Sequence, residues 1–234
     1  MADGAAEKGG GLKEWIKSIA IAVVAWLFLR AFVVGAFYIP SPSMVPTFLV
    51  GDVLFVARPT YGINVPLVGW RIPGFRDPRH ADIVVFNSVE QAGLDVVKRV
   101  AGTPGDTLEM RERVLYRNGQ VVEEPWAHYD RPSDPDQNRS RIRDWTAGRL
   151  VGRDRETYNP DRNNWGPLVV PPDSLFVMGD NRDDSWDGRY WGFLPRRNVT
   201  GSPLIIYYSW DKASWRPLPF LTATRWNRIF TIPR

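Results

Sequence analysis

The clearest chemical potential in this 234-residue chain lies in a serine and a lysine. Ser43 stands in Ile39-Pro40-Ser41-Pro42-Ser43-Met44-Val45-Pro46-Thr47, where prolines impose an extended, tightly constrained backbone. Lys98 stands in an apolar run, Val97 to Ala101, that ends in a Pro104-Gly105 turn. A serine hydroxyl is a weak nucleophile and needs an adjacent base. Lysine can be that base only when neutral. At its ordinary pKa of ~10.4, fewer than about one lysine in a thousand is neutral at pH 7. Burial among Val96, Val97, Val100 and Ala101 would lower that pKa, whereas an arginine would stay charged. Only five lysines occur, Lys8, Lys13, Lys17, Lys98 and Lys212, and every other basic side chain apart from histidine is arginine. A lysine kept inside an arginine-biased body points to a task arginine cannot perform.

A third segment, Met178 to Gly192, packs charged residues and glycines between hydrophobic runs and supplies Asp180, Ser185, Asp187 and Arg189. Other chemistries are poorly supplied. With no cysteine, a thiol nucleophile, a cysteine-ligated metal and a disulfide framework are excluded. The two histidines, His80 and His128, lack metal-ligand spacing. The acidic run lacks the glycine and distal glutamate of an EF-hand. Ser209 and Lys212 share the S-x-x-K spacing of β-lactamases, but without the partner motifs the match reads as coincidence. Basic and acidic residues alternate, as in 141–156, so the net charge of +4 describes a solvated surface rather than a nucleic-acid stripe.

These groups need elements to hold them. Residues 15–38 are the one long apolar stretch. As a helix they would reach roughly 36 Å, enough for a bilayer core of ~30 Å. Trp15 and Tyr38 sit at the expected interfaces, Pro40 stops the helix, and Arg30 is the costly residue. Lys8, Lys13 and Lys17 place the N-terminus in the cytoplasm and the body outside. The competing reading is a cleavable signal cut near Val34-Gly35-Ala36. Beyond residue 40, short β-branched and aromatic runs at 51–58, 82–87, 95–102, 174–179 and 203–210 predict strands. Asn118-Gly119 predicts a type I′ hairpin. No helix-length amphipathic segment is evident outside the anchor. Residues 107–171 turn rich in Arg, Asp, Pro and Asn and read as an inserted cap with a disordered stretch near 131–141. The expected class is mainly β. An antiparallel-sheet catalytic core (39–106 and 172–234) is interrupted by the cap (107–171) and preceded by a cytoplasmic N-terminus (1–14) and one transmembrane helix (15–38).

Taken together and in order, the anchor, the Ser43 segment, the following Gly51-Asp52 strand, the Lys98 strand and GDNRDDSWDGRYWGFLP (179–195) resemble bacterial type I signal peptidases, the leader peptidase family. The resemblance covers most of the chain apart from the cap. It implies that Ser43 is the nucleophile and Lys98 the general base. It implies that Ser185 hydrogen-bonds and orients the lysine amine, and that Ser41 joins the Ser43 N–H in stabilising the tetrahedral intermediate. It also implies that Asp180 with Arg99, and Asp187 with Arg189, are supporting charged pairs. Many relatives carry Gly between the two serines where Pro42 stands here. Pro removes one N–H, but not that of Ser43.

The mechanism so implied is acyl transfer from signal peptides of exported preproteins at the outer face of the bacterial plasma membrane. It needs no cofactor and no metal, and involves the lipid bilayer but no nucleic acid. Substrate would add as a strand beside Phe37–Ser41 and Asp95–Val97. Phe37, Ile39, Pro40, Met44, Asp95, Val96 and Val97 would form shallow apolar pockets for small side chains one and three residues before the cut. The alternatives are a specialised peptidase for pilin or conjugation proteins and a catalytically idle, membrane-tethered peptide-binding β-domain. A self-cleaving repressor-type protease would share the dyad, but a membrane span replaces its DNA-binding N-terminus.

Overall fold

The computed structural model describes residues 11–32, 34–64, 70–131 and 135–233; the first ten residues of the expected cytoplasmic stretch lie outside them. Helix α1 (Leu12–Phe32) precedes β1 (Val34–Tyr38). Then follow β2 (Asp52–Ala57), the short pair β3 (Gly62–Asn64) and β4 (Arg71–Pro73), β5 (Ile83–Asn87) and β6 (Asp95–Gly102). Next come β7 (Thr107–Arg111), β8 (Val114–Arg117), β9 (Gln120–Val121), helix α2 (Arg139–Thr146) and β10 (Trp165–Val169). The chain ends with β11 (Ser174–Met178), helix α3 (Gly188–Trp191), β12 (Leu194–Pro195), the long β13 (Val199–Ser209) and helix α4 (Pro219–Thr222).

The main sheet has seven strands in the order β1-β2-β13-β5-β6-β11-β12, every neighbouring pair antiparallel. One cavity touches β1, β2, β5, β6 and β13 together, so the sheet curls round on itself. Strand alternation divides its packing. Ile39, Met44, Leu54, Val85 and Val97 cluster on one side, and Val84, Phe86, Val100 and Val177 on the other. Strands β10-β7-β8-β9 form a second sheet. Asn118 and Gly119 both take positive φ, 55° and 79°, and close the β8–β9 hairpin, as a type I′ turn requires.

Two expectations need correcting. The apolar stretch 15–38 is not one helix. It leaves helical geometry after Phe32, and Val34–Tyr38 pairs with β2, Phe37 opposite Leu54. Gly35 is a poor helix former and the aromatic pair Phe37-Tyr38 suits a strand, and the open edge of β2 supplies the hydrogen bonds. Among the described residues, no helix is long and apolar enough to cross a membrane. The segment after residue 107 also has a core of its own: Leu108, Met110, Leu115, Trp165 and Leu168 are buried together with Ile142 of α2, an eight-residue helix that the sequence did not suggest.

The S-x-x-K pair is structural. The Ser209 hydroxyl donates to Asp52 Oδ1 at 2.6 Å, and Lys212 is exposed. Asp52 is fully buried. It also accepts the Leu49 N–H at 2.8 Å and the Arg228 guanidinium at 2.5 Å, tying the start of β2 to the C-terminal segment. Removing the carboxylate strands three donors, so Asp52→Ala should cost about 3 kcal/mol, measurable in equilibrium urea unfolding. A loss below about 1 kcal/mol would show that the cluster is not a joint.

Candidate active site

Strand β6 carries Lys98 opposite Val84 of β5, its side chain on the same face as Val96. Lys98 is only 3% exposed, and its Nζ donates to Ser43 Oγ at 2.5 Å. Burial brings the lysine pKa down from 10.5 to about 8. Asp187 opposes the change by favouring the ammonium, and Arg189 reinforces it. With the amine neutral, the same contact can run in reverse, the serine O–H donating to the nitrogen lone pair.

Ser43 lies in the turn between β1 and β2. Its carbonyl accepts the Asn181 N–H at 3.1 Å, and its hydroxyl is 3.4 Å from that of Ser41. Gly179, at the end of β11, passes so close that an added Cβ would collide with both the Ser43 carbonyl and the Ser185 hydroxyl. The Ser185 hydroxyl donates to Asp187 Oδ2 at 2.7 Å, and the Lys98 amine is hydrogen-bonded to Ser43. The nearby carboxylate is the stronger acceptor and takes the hydroxyl hydrogen.

Two arginine–carboxylate pairs flank these groups. Arg189 binds Asp187 through Nε and Nη2, both at 2.9 Å, and Gly179 N–H adds a third bond to that carboxylate at 2.9 Å. Burial alone would raise the pKa of Asp187, but the Arg189 charge, these hydrogen bonds and Lys98 together hold it below the usual carboxylate range. Arg99 grips Asp180 at 2.8 and 2.7 Å, and its guanidinium lies 4.4 Å from the centre of the Trp126 ring. Thr47 completes that group, donating to Asp180 at 2.5 Å. Sequence reasoning overlooked Thr47, Trp126 and Asn181. Thr47 was inside the quoted 39–47 segment and Asn181 inside the 179–195 block, but nothing marked Trp126.

A cleft of about 780 Å³ opens at the dyad, lined by Ser41, Ser43, Val96, Lys98, Ser185 and Trp186 among others. A second cavity of about 220 Å³ is lined by Phe37, Val85 and Asp95. Pro40 is exposed and lines neither cavity. Ile39, Met44 and Val97 also line neither, being 1%, 0% and 6% exposed in the core cluster with Phe48 and Leu54. Strand alternation is the reason for Val97: it points to the opposite face from Lys98. Along one edge, β6 pairs with β11 only at Arg99, Val100 and Gly102, so Asp95–Val97 has no strand neighbour there among the described residues.

Comparison with known proteins fits this geometry. The family model described as signal peptidase, peptidase S26, matches residues 12–208. A signal peptidase I of Pseudomonas aeruginosa is 34% identical over 221 residues, covering 89% of this chain and 76% of the relative. One from Leptolyngbya laminosa is 33% identical over 204 residues, covering 84% and 80%. One from Bacillus licheniformis is 32% identical over 206 residues, covering 88% and 93%. The chain belongs to the signal peptidase family, peptidase S26.

The closeness of Gly179 to both serines generates a test. Gly179→Ala must push the Ser43 backbone or the Ser185 side chain aside. A displacement on the order of 1 Å costs about 100-fold in rate. Peptidase activity of the folded variant should fall by about that factor; wild-type activity would mean that the two serines need not be so closely placed.

Proposed function

We propose that this chain is a membrane-bound serine endopeptidase that removes N-terminal signal peptides from exported preproteins, with Ser43 as nucleophile and Lys98 as general base. The observation that carries the reading is the 2.5 Å contact between a buried lysine amine and a serine hydroxyl at the mouth of a large cleft. Membership of the signal peptidase family supplies the substrate class.

In the reaction, neutral Lys98 takes the Ser43 proton as Oγ attacks the scissile carbonyl. The developing oxyanion is met by the Ser43 N–H and the Ser41 hydroxyl. Lys98 then passes its proton to the leaving amine, and the C–N bond breaks to leave the acyl-enzyme. A water, deprotonated by Lys98, attacks the ester, and the released serine recovers its proton. Ser185 shares the Asp187 carboxylate with Arg189 and keeps an oxygen lone pair for the ammonium that forms transiently.

The substrate would add its backbone to the vacant edge at Asp95–Val97 and to β1. Phe37 and Asp95 bound one cavity and Val96 the other. Core packing makes Ile39, Met44 and Val97 the floor beneath those positions rather than walls. The N-terminal helix would anchor the enzyme. Ile16, Ile19, Val23, Val24 and Trp26 are all exposed, and with Lys13 and Lys17 near its start the body would lie on the outer face of the plasma membrane. Residues 39–106 and 172–234 would then form the catalytic core and 107–171 the inserted cap.

Cleavage of a preprotein by the detergent-solubilised enzyme tests the dyad. Ser43→Ala and Lys98→Ala should each lose activity by at least about 10⁴-fold while remaining folded, because nucleophile and base act as a unit. Lys98→Arg should be equally inactive, since its guanidinium stays charged. Substantial cleavage by the arginine variant would refute the general-base role.

The pH dependence follows from the lysine. Only the neutral amine accepts a proton, so kcat/KM should rise about tenfold per pH unit below the free-enzyme pKa of about 8 and level off above it. A chemistry-limited profile flat between pH 5 and 10 would remove Lys98 from the base role.

A further inference from the structure

The loop after β11 holds Asn181 against the Ser43 carbonyl and continues to Ser185 and Asp187, yet much of what holds this loop comes from the segment between β9 and α2. His128 N–H donates to the Asp180 carbonyl at 2.7 Å, and Arg182 N–H donates to the His128 carbonyl at 2.8 Å. Asn181 Nδ2 donates to Asp130 Oδ2 at 2.7 Å, and Arg131 N–H to Asp183 Oδ2 at 2.9 Å. The centre of this seam is an ion pair. Arg182 presents Nη1 and Nη2 to the two oxygens of Glu124, both at 2.7 Å. The two side chains are 2% and 8% exposed. The third nitrogen of the guanidinium, Nε, donates to the Gly179 carbonyl at 3.1 Å, and the Arg182 carbonyl accepts Arg189 Nη2 at 2.7 Å. Arg182 therefore touches the residue packed against both serines and the arginine that clamps Asp187.

We propose that Glu124 is a positioning residue for the reaction: through Arg182 it fixes Gly179 and Arg189, and so sets the placement of Ser43, Ser185 and Asp187 around Lys98. This rests on the dyad reading above and gives the inserted segment a role in chemistry. The physical case is the fork. A planar guanidinium held at both nitrogens by one carboxylate has a fixed orientation, so its Nε–H points at one carbonyl only. Without the carboxylate, Arg182 becomes a buried cation without its counter-charge, and the loop must move to hydrate it or find another acceptor. Any such movement alters the charged groups that face Lys98, namely Asp180, Asp184, Asp187 and Arg189.

Steady-state cleavage of a preprotein by the full-length, detergent-solubilised enzyme tests this with three variants. Glu124→Gln should lower kcat by about 10- to 100-fold with KM changed less than about twofold, and should displace the pH at which kcat reaches half its plateau. Glu124→Asp, keeping the charge on a shorter arm, should recover part of the loss. Glu109→Gln breaks another carboxylate–arginine contact, with Arg111, in β7 of the second sheet and away from the loop, and should retain wild-type kcat. Unchanged kcat and pH profile in folded Glu124→Gln would overturn the proposal, as would a kcat loss equal to that of Glu109→Gln. If Glu124→Gln does not fold, Arg182→Lys takes its place. It keeps a cation but loses the fork, so the same fall in kcat is expected and a wild-type value overturns the inference. Ser43→Ala in the same assay reports separately on the dyad: residual activity there would condemn the dyad reading rather than the buttress.

Discussion

An ammonium group gives up its proton near neutral pH only where water is kept from it and neighbouring charges do not restabilise it. Lys98 meets the first condition through its place in the sheet and the second only in part. Its strand has β5 on one side and β11 starting on the other, so the side chain enters a face already filled by Val84, Phe86 and Val100. The nearest carboxylates would favour the charged form. Asp187, however, is held by two nitrogens of Arg189, and Asp180 by two nitrogens of Arg99. Each acid close to the lysine brings a guanidinium with it, and burial remains the largest influence on the amine.

The topology turns this local condition into a site. β11 joins β6 only from Arg99 onward, so among the described residues Asp95–Val97 has no strand neighbour on that edge. β1 lies at the end of the same sheet and delivers Ser43 directly after its last residues, so the curl of the sheet, rather than proximity in sequence, joins positions 43 and 98. The long β13 pairs with both β2 and β5 and fixes that curl. The second sheet, which composition marked as an appendage, is laced to the loop after β11 by backbone and side-chain bonds and has a buried core of its own.

Much of the apparent abundance of polar groups in 179–189 is explained by burial. Arg182 and Arg189 are among the largest fully buried side chains, and neither is close-packed by apolar residues alone. A buried guanidinium is tolerated when it is paired and hydrogen-bonded, and here the acceptors are loop carbonyls as well as Glu124 and Asp187. Such a network specifies a loop shape more tightly than apolar packing does, because each missing partner is costly. That suits a segment whose task is to hold a serine and a carboxylate at set distances.

The sequence by itself determined the candidate chemical groups and several of the main-sheet strands. A lysine in an apolar run, a serine in a proline-rich segment and an unbroken motif at 179–195 were readable because they depend on residue type and local spacing. The Asn118-Gly119 turn was legible for the same reason: its backbone angles are a property of those two residues. Only the tertiary structure decided which face each side chain takes and what covers it. Val97 was expected in a pocket and is core because strand alternation and the β5 register send it away from Lys98. Val34–Tyr38 was expected in the span and is a strand because β2 offers it an open edge, which hydropathy does not register. Ser185 donates its hydrogen to Asp187 because the loop brings that carboxylate within 2.7 Å. Glu124 and Trp126, from a segment distant in sequence, had no local signal at all; their roles come from long-range pairing, where the energy of a contact depends on both partners and the chain order names only one.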